Sequence, residues 1–178
     1  MKVITCHSNP DFDGFAGCVG LKKIYPDFEI VIAGTPSQNL KEFLRFYEEY
    51  FPYLREEDLK NLAEPIEELI IVDTPGPERV GQVILSKISE STSITVIDHH
   101  PDIRDSIYEK NNIKKIIKLT GAATTIIVNM LKQKGIKLSK EEATVLGIAI
   151  YEDTGSFLYS STTSEDLEAV SYLFQSGL

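Results

Sequence analysis

The chain has 178 residues, 42% of them hydrophobic, and carries 27 Asp plus Glu against 18 Lys plus Arg for a net charge of −9. That length fits one domain burying roughly two-thirds of its unfolded surface, and the acidic balance argues against a broad nucleic-acid-binding face of the domain's own. No long apolar run, basic leader or lipidation motif occurs, so no membrane partner is expected and the cytoplasm is the expected compartment. Cys6 and Cys18 lack a paired framework and read as small buried hydrophobes of a reducing environment.

Strand-type and helix-type segments alternate. Residues 2–6 form a short apolar run that meets His7, and residues 13–25 offer Phe15, Val19 and Leu21 before Pro26, which predicts a helix after the loop. Residues 29–33 are β-branched and apolar, and Ser37 suits the N-cap of a helix carrying Leu40, Phe43, Leu44 and Tyr47. The aromatics Phe43, Phe46, Tyr47, Tyr50, Phe51 and Tyr53 sit among Glu48, Glu49, Glu56, Glu57 and Asp58, so core or domain contact is favoured over base stacking. Residues 69–72 read as a buried strand ending at Asp73, followed by the turn Thr74-Pro75-Gly76-Pro77 and a helix over 79–88. Residues 94–97 are a further strand, ending at Asp98, and 113–119 a fifth. Thr120-Gly121 opens an apolar helix through Leu131 with Gly135 as its stop, its amides being also within conceivable reach of a phosphate. Ser139 with Glu142 makes a capping box for a helix towards Tyr151, and Thr163 or Ser164 begins a last helix with Leu167, Val170, Tyr172 and Leu173 on its apolar face.

This alternation predicts an α/β fold, a mostly parallel sheet of about five strands with helices on both faces. Ligands bind such sheets at the carboxyl ends of the strands. There lie the chemistry-bearing pieces: His7-Ser8-Asn9-Pro10-Asp11-Phe12-Asp13, Asp73, Asp98-His99-His100 and Glu152-Asp153-Thr154-Gly155. They hold every histidine of the chain beside carboxylates, a donor set suited to two divalent cations and metal-assisted phosphoryl hydrolysis. Singly each has an ordinary explanation, as a helix cap or a polar turn. Jointly, at the ends of separate strands, they point to one site whose bound cations would invert the local acidic field.

The ordered set HxNxDxD, an Asp after a strand, DHHP and then DTG resembles the DHH family of metal-dependent phosphoesterases. That family includes RecJ-type exonucleases, oligoribonucleases, cyclic-dinucleotide phosphodiesterases and manganese-dependent inorganic pyrophosphatases. HSNPDFDGFAG running into LKKIYP, VDTPGPERVG, GAATTIIVNML and AIYEDTGSF with SSTTSEDLEA are similar to the N-terminal DHH domain fused to some bacterial tRNA nucleotidyltransferases or poly(A) polymerases. No polymerase signature occurs, so the resemblance makes residues 1–178 a single DHH domain excised from a longer protein, without the C-terminal substrate-binding domain.

Carried over to this chain, the resemblance implies His7 and Asp11 on one metal, Asp13, His99 and Asp153 on the other, and Asp73 bridging them. It makes His100 a contact of the scissile phosphate, Asp98 an orienting partner of a histidine, and Arg79 a candidate for a phosphate oxygen. Catalysis would rest on His100, Asp73 and Asp98, with hydroxide generated between two cations attacking phosphorus in line. Carboxylate-rich ligation favours Mn2+, with Mg2+ or Co2+ as alternatives. Phe15 and Ala16 depart from the small residues common after the second aspartate, a difference expected to bear on substrate fit. The expected substrates are phosphodiesters of nucleotides, short oligonucleotides or RNA 3′ ends, with downstream domains of the same polypeptide as partners. A non-catalytic metal- or nucleotide-binding module of a nucleotidyltransferase fusion is the alternative, and a manganese-dependent inorganic pyrophosphatase the third.

Overall fold

A computed structural model of the chain describes residues 1–101 and 112–178. Six strands form one sheet: β1 (Lys2–Thr5), β2 (Glu29–Ile32), β3 (Leu54–Arg55), β4 (Glu68–Val72), β5 (Ser93–Asp98) and β6 (Asn112–Ile117). Their order is β3-β2-β1-β4-β5-β6 and every pairing is parallel. The strand beyond the expected five is β3, whose two residues are too few to show periodicity.

The central strands are runs of Ile, Val and Leu because a parallel sheet is buried on both sides. Ile4, Ile30, Ile32, Ile70, Val72 and Ile97 enter one core, and Val3, Val31, Leu69, Ile71, Ile94 and Val96 the other. The first core is closed by α1 (Phe12–Ile24), α2 (Gln38–Tyr47), α4 (Ala123–Gln133), α5 (Lys140–Asp153) and α6 (Ser164–Gln175). The second is thinner, closed by α3 (Gln82–Ser86) and by Leu59 and Val80 from short turns. The chain steps from β1 to β2 and β3 with its helices on the first face. It then returns to β4 and β5 with α3 on the opposite face, as right-handed crossovers require. Strand order therefore reverses between β1 and β4, and their carboxyl ends flank a crevice.

Helix α1 is wedged between sheet and helices, and its residues from Phe12 to Leu21 are all buried. Such close approach needs glycine: a Cβ on Gly17 would lie 2.8 Å from Val72 Cγ2, and one on Gly20 2.7 Å from Ile127 Cγ2. An alanine there would gain about 1 kcal/mol of helix propensity and lose it to overpacking. Phe15 is wholly buried and meets Phe51 and Tyr53 edge-on. Its size is thus taken up by the core.

Several expected elements shift. The helix over 79–88 is split into a 3-10 turn, Pro77–Arg79, and the short α3, with Gly81 at the N-cap between them. The apolar helix begins at Ala123, because the Gly121 amide is already bonded to Asp166. Leu167 is 53% exposed and lies off the buried stripe of α6, which Ala169 and Leu173 form. The caps match expectation: Ser37 accepts from Leu40 N, and Ser139 and Glu142 bond reciprocally. Of the aromatic stretch, Phe51 is core and Phe43 stacks on Tyr47, while Phe46 and Tyr50 are exposed. Both cysteines are buried and free. No helix among the described residues is long and apolar enough to cross a membrane.

Candidate metal centre

The crevice between β1 and β4 collects the pieces separated in sequence. After β1 the chain turns sharply at Asn9, whose φ is 59°. Its side-chain oxygen accepts from Thr35 N at 2.8 Å and its amide donates to Ala33 O at 3.1 Å, which fixes the loop against the end of β2. Asp11 then caps α1 by accepting from Gly14 N at 3.2 Å, and Asp13 falls in the first turn. Asp73 follows β4 with φ 50°, a left-handed conformation that costs a non-glycine residue on the order of 1 kcal/mol. Its amide is held by Ile97 O at 3.0 Å.

Two triads result. In one, His7 Nε2 lies 3.6 Å from Asp11 Oδ1 and 3.5 Å from Asp73 Oδ2. In the other, His99 Nε2 lies 3.9 Å from Asp13 Oδ2 and 3.5 Å from Asp153 Oδ2. His99 Nε2 is also 3.5 Å from Asp73 Oδ1, so the two oxygens of Asp73 face different triads. Each triad offers ligand atoms all within 4.8 Å of one another, as does the set Asp73, Asp98, His99 and His100.

Neighbouring groups aim these atoms. Thr120 O takes His99 Nδ1 at 3.0 Å and Ser8 O takes His7 Nδ1 at 3.1 Å, which leaves both Nε2 lone pairs for the centre. Asp13 accepts from Ala123 N at 2.7 Å and Thr124 N at 2.8 Å, so it caps α4 from within α1. Asp166, wholly buried, accepts from Gly121 N and Thr125 Oγ1 and thereby ties the start of α6 to that of α4. Asp98 Oδ1 accepts from both the amide of His100, at 2.9 Å, and its Nδ1, at 2.7 Å. The histidine that Asp98 orients is therefore His100. Asn39 donates to Glu152 at 2.7 Å across a cavity of about 270 Å3 that Asp11, Asp13, Ser37 and Asp153 also line.

The electrostatics are those of an acidic cluster compensated by protons. Burial opposes charge on His7, but hydrogen bonding to Asp11 and Asp73 outweighs it and raises the imidazole to about 11. His99 is likewise penalised by burial, yet Asp73 and Asp13 bring it up to about 10. Burial also works against ionised Asp73, whose contacts with His7 and His99 nonetheless hold its carboxyl below the usual range. Asp153 is pushed up to about 6 by burial, with His99 opposing and Asp73 and Asp11 adding repulsion. Asp13 rises as well, through burial and the charges of Asp73 and Asp153.

Asp153 Oδ2 is buried without a hydrogen-bond partner, at the end of a helix whose negative dipole already disfavours it. An orphaned carboxylate oxygen beside an imidazole nitrogen whose proton a cation can displace fits a divalent ion, and hard oxygen with nitrogen donors suits Mn2+ or Mg2+.

Not every expected site residue joins. Arg79 is exposed, and its contact with the motif loop is through its backbone: its carbonyl accepts from Ser8 N at 2.6 Å. The amides of Gly121, Ala123 and Thr124 are spent on Asp166 and Asp13 and do not await a phosphate. Sequence reading missed the carbonyl of Thr120 and the Asn39–Glu152 bridge. A carbonyl has no sequence signal, whereas Glu152 beside Asp153 at a helix C-terminus is a visible breach of dipole preference.

Residues 2–150 match the model of the DHH family, N-terminal domain. The chain belongs to that family and has its phosphoesterase fold. It is 34% identical to an A-adding tRNA nucleotidyltransferase of Geobacter sulfurreducens, over 99% of this chain and 20% of that protein. It is 28% identical to a probable bifunctional oligoribonuclease and PAP phosphatase, NrnA, of Streptococcus mutans, over 97% of this chain and 52% of that one. A probable manganese-dependent inorganic pyrophosphatase of Enterococcus faecalis is 26% identical, over 92% and 51%. Among solved structures, a putative family II inorganic pyrophosphatase of Methanococcus jannaschii superposes with TM-score 0.78 at 23% identity, over 99% of this chain and 56% of that one, a likeness of fold. The chain spans about a fifth of the length of the nucleotidyltransferase and about half that of the others.

Proposed function

We propose that this chain is the metal-dependent hydrolytic domain of a phosphodiesterase acting on nucleotides, short oligonucleotides or RNA 3′ ends. The observation that carries the reading is Asp73, whose Oδ2 faces His7 and whose Oδ1 faces His99. Asp73 would be shared by two cations, one that His7 and Asp11 would hold and another that Asp13, His99 and Asp153 would hold. Bound there, two divalent cations, Mn2+ in the first instance, would acidify a water and neutralise charge on the phosphoryl oxygens.

The chain's own residues supply orientation. The strained turn at Asp73 and the amide cap on Asp13 fix the acidic ligands before substrate arrives. Asp98 holds His100 at Nδ1, which leaves Nε2 to hydrogen-bond a phosphoryl oxygen when that ring is protonated. Arg79, being exposed, is retained only as a peripheral contact. Downstream domains of the same polypeptide complete the substrate site, so residues 1–178 alone bind metal and turn over slowly.

The likeness to the A-adding tRNA nucleotidyltransferase along 99% of the chain supports a second reading, a metal- or nucleotide-binding module in such a fusion. The intact protein with Mn2+ is expected to cleave bis-p-nitrophenyl phosphate and short RNA and to stop on chelation. Silence on those substrates and on cyclic dinucleotides would favour the binding module. Turnover of pyrophosphate alone would instead make it a pyrophosphatase.

A further inference from the structure

Beyond the metal centre, a cavity of about 490 Å3 opens past the carboxyl ends of β2 and β3 and along α2. Lys41 and Arg45, one helical turn apart on α2, and Arg55 at the end of β3 line it, together with Tyr53. Glu48 and Glu57 line it too, yet among the described residues none of the three cations has a carboxylate within 4.0 Å. In a chain with 27 acidic and 18 basic residues, partners for surface cations are abundant. Among the described residues three cations thus face one cavity without an ion-pair partner, and phosphate is the ligand that matches two guanidinium forks and an ammonium.

The cavity is continuous in sequence with the metal centre. Gly34, Thr35 and Pro36 line it, while the next residues, Ser37, Gln38 and Asn39, line the acidic cavity that contains Asp11, Asp13 and Asp153. The connecting loop is pinned to the motif loop through Asn9 Oδ1 with Thr35 N and Pro10 O with Ser37 N. A strand of nucleic acid leaving the acidic cavity by residues 34–39 would meet Lys41, Arg45 and Arg55.

We infer that this cavity is an anion subsite for a phosphate flanking the scissile one in a short single-stranded oligonucleotide. The inference rests on the phosphodiesterase reading and narrows its substrate to molecules longer than a single diester. Tyr53, half-buried and packed edge-on against Phe15, lines the cavity wall beside these cations.

The test compares the intact protein with its Lys41→Gln/Arg45→Gln variant, using a 5′-phosphorylated RNA trinucleotide and bis-p-nitrophenyl phosphate. The ratio of kcat/KM for the trinucleotide over the small diester should fall about tenfold, chiefly through KM. Lys134→Gln/Lys137→Gln removes the same charge from exposed positions elsewhere and should leave that ratio in place. Fluorescence anisotropy of the labelled trinucleotide with Ca2+ should show a matching rise in Kd and a salt dependence shallower by roughly 0.7 per lost cation. An unchanged ratio with unchanged Kd overturns the subsite, and so does an equal loss in the control pair. If the intact protein hydrolyses neither compound, the phosphodiesterase reading falls, while anisotropy alone still decides whether the cavity takes the oligonucleotide.

Discussion

The two triads of the centre are built by different routes. His7 and Asp11 come from one loop of five residues, and only Asp73 is brought from afar. Asp13, His99 and Asp153 come from the start of α1, the end of β5 and the end of α5, with up to 140 residues between them. The first triad is therefore a local device standing on the sheet's switch point. The second exists only while α4 and α5 are packed on α1, because Asp13 is held by α4 and Asp153 is carried by α5. Metal affinity at the second triad should thus report on helix packing, and at the first it should not.

The widest separation from ordinary surface behaviour is expected at Asp73, which belongs to both. Asp73→Asn keeps the shape and a residue type that tolerates positive φ, but weakens a ligand for each triad. Hydrolysis should fall on the order of 10³-fold, equivalent to about 4 kcal/mol of lost charge stabilisation. Isothermal titration with Mn2+ should lose both binding events together. Arg79→Ala, at an exposed position, should change the rate by less than about threefold, so comparable losses in the two variants would remove the bridge.

Protons discriminate the triads next. In the metal-free protein His7 titrates near 11 and His99 near 10, far above an unfolded imidazole at about 6.5. The stability they contribute is fully present below about pH 6.5 and is lost as pH rises through 10 and 11. Asp73, held low, acts in the other direction: its contribution is present above its ordinary carboxyl value and is lost as acid protonates it. A cation must displace these protons. The first triad sheds chiefly that of His7, whereas below about 6 the second sheds those of His99 and Asp153. Between pH 5 and 6, Mn2+ affinity should rise about tenfold per unit at the first site and more steeply at the second, where Asp13, also raised, adds to His99 and Asp153. Titrations in buffers of different ionisation enthalpy count the protons released, and equal counts at both sites would contradict the split.

Much of this site was legible because its chemistry is carried by side chains placed just past strands. The runs ending at Thr5, Val72 and Asp98 are unmistakably β-rich, and the ordered motifs do the rest. What escaped depends on tertiary packing. Asp13 looks like a helix cap in sequence and is one, but for α4 rather than for α1, because Asp11 already occupies that role. The helix expected over 79–88 is shortened because Pro77 and Gly81 sit so close together that only a single turn and α3 fit. The cavity cations were overlooked for a related reason: Lys41 and Arg45 share a helix face, but Arg55 joins them only through β3, which has no periodic signal.

Substituting the paired aspartates separates stability from ligation. Asp11→Asn preserves an equally good N-cap but gives up one charged partner of His7 at a half-exposed position, so stability should fall by no more than about 1 kcal/mol while the first Mn2+ event weakens. Asp13→Asn cannot accept from both Ala123 N and Thr124 N, which forfeits a buried charge-assisted bond. Relief of repulsion from Asp73 and Asp153 offsets part of that loss. The net is expected at about 2 kcal/mol, read as a melting temperature lower by about 4–8 °C in EDTA. Equal melting temperatures for the two variants would show that α4 does not depend on Asp13.

The smallest effect tests how far packing strain travels along α5. Ser139 caps this helix of 14 residues at the end remote from Asp153, roughly 21 Å away at 1.5 Å per residue. Ser139→Ala removes the bond to Glu142 N and should lower stability by about 1 kcal/mol, or about 2–4 °C. Fraying of that first turn leaves the rest of the helix docked through Val145, Leu146, Ala149 and Ile150, all fully buried. Both Mn2+ events should therefore keep their affinity at 25 °C although the protein melts earlier. A selective weakening of the second event would mean that α5 moves as one rigid rod, so that a lost cap at one end withdraws Asp153 at the other.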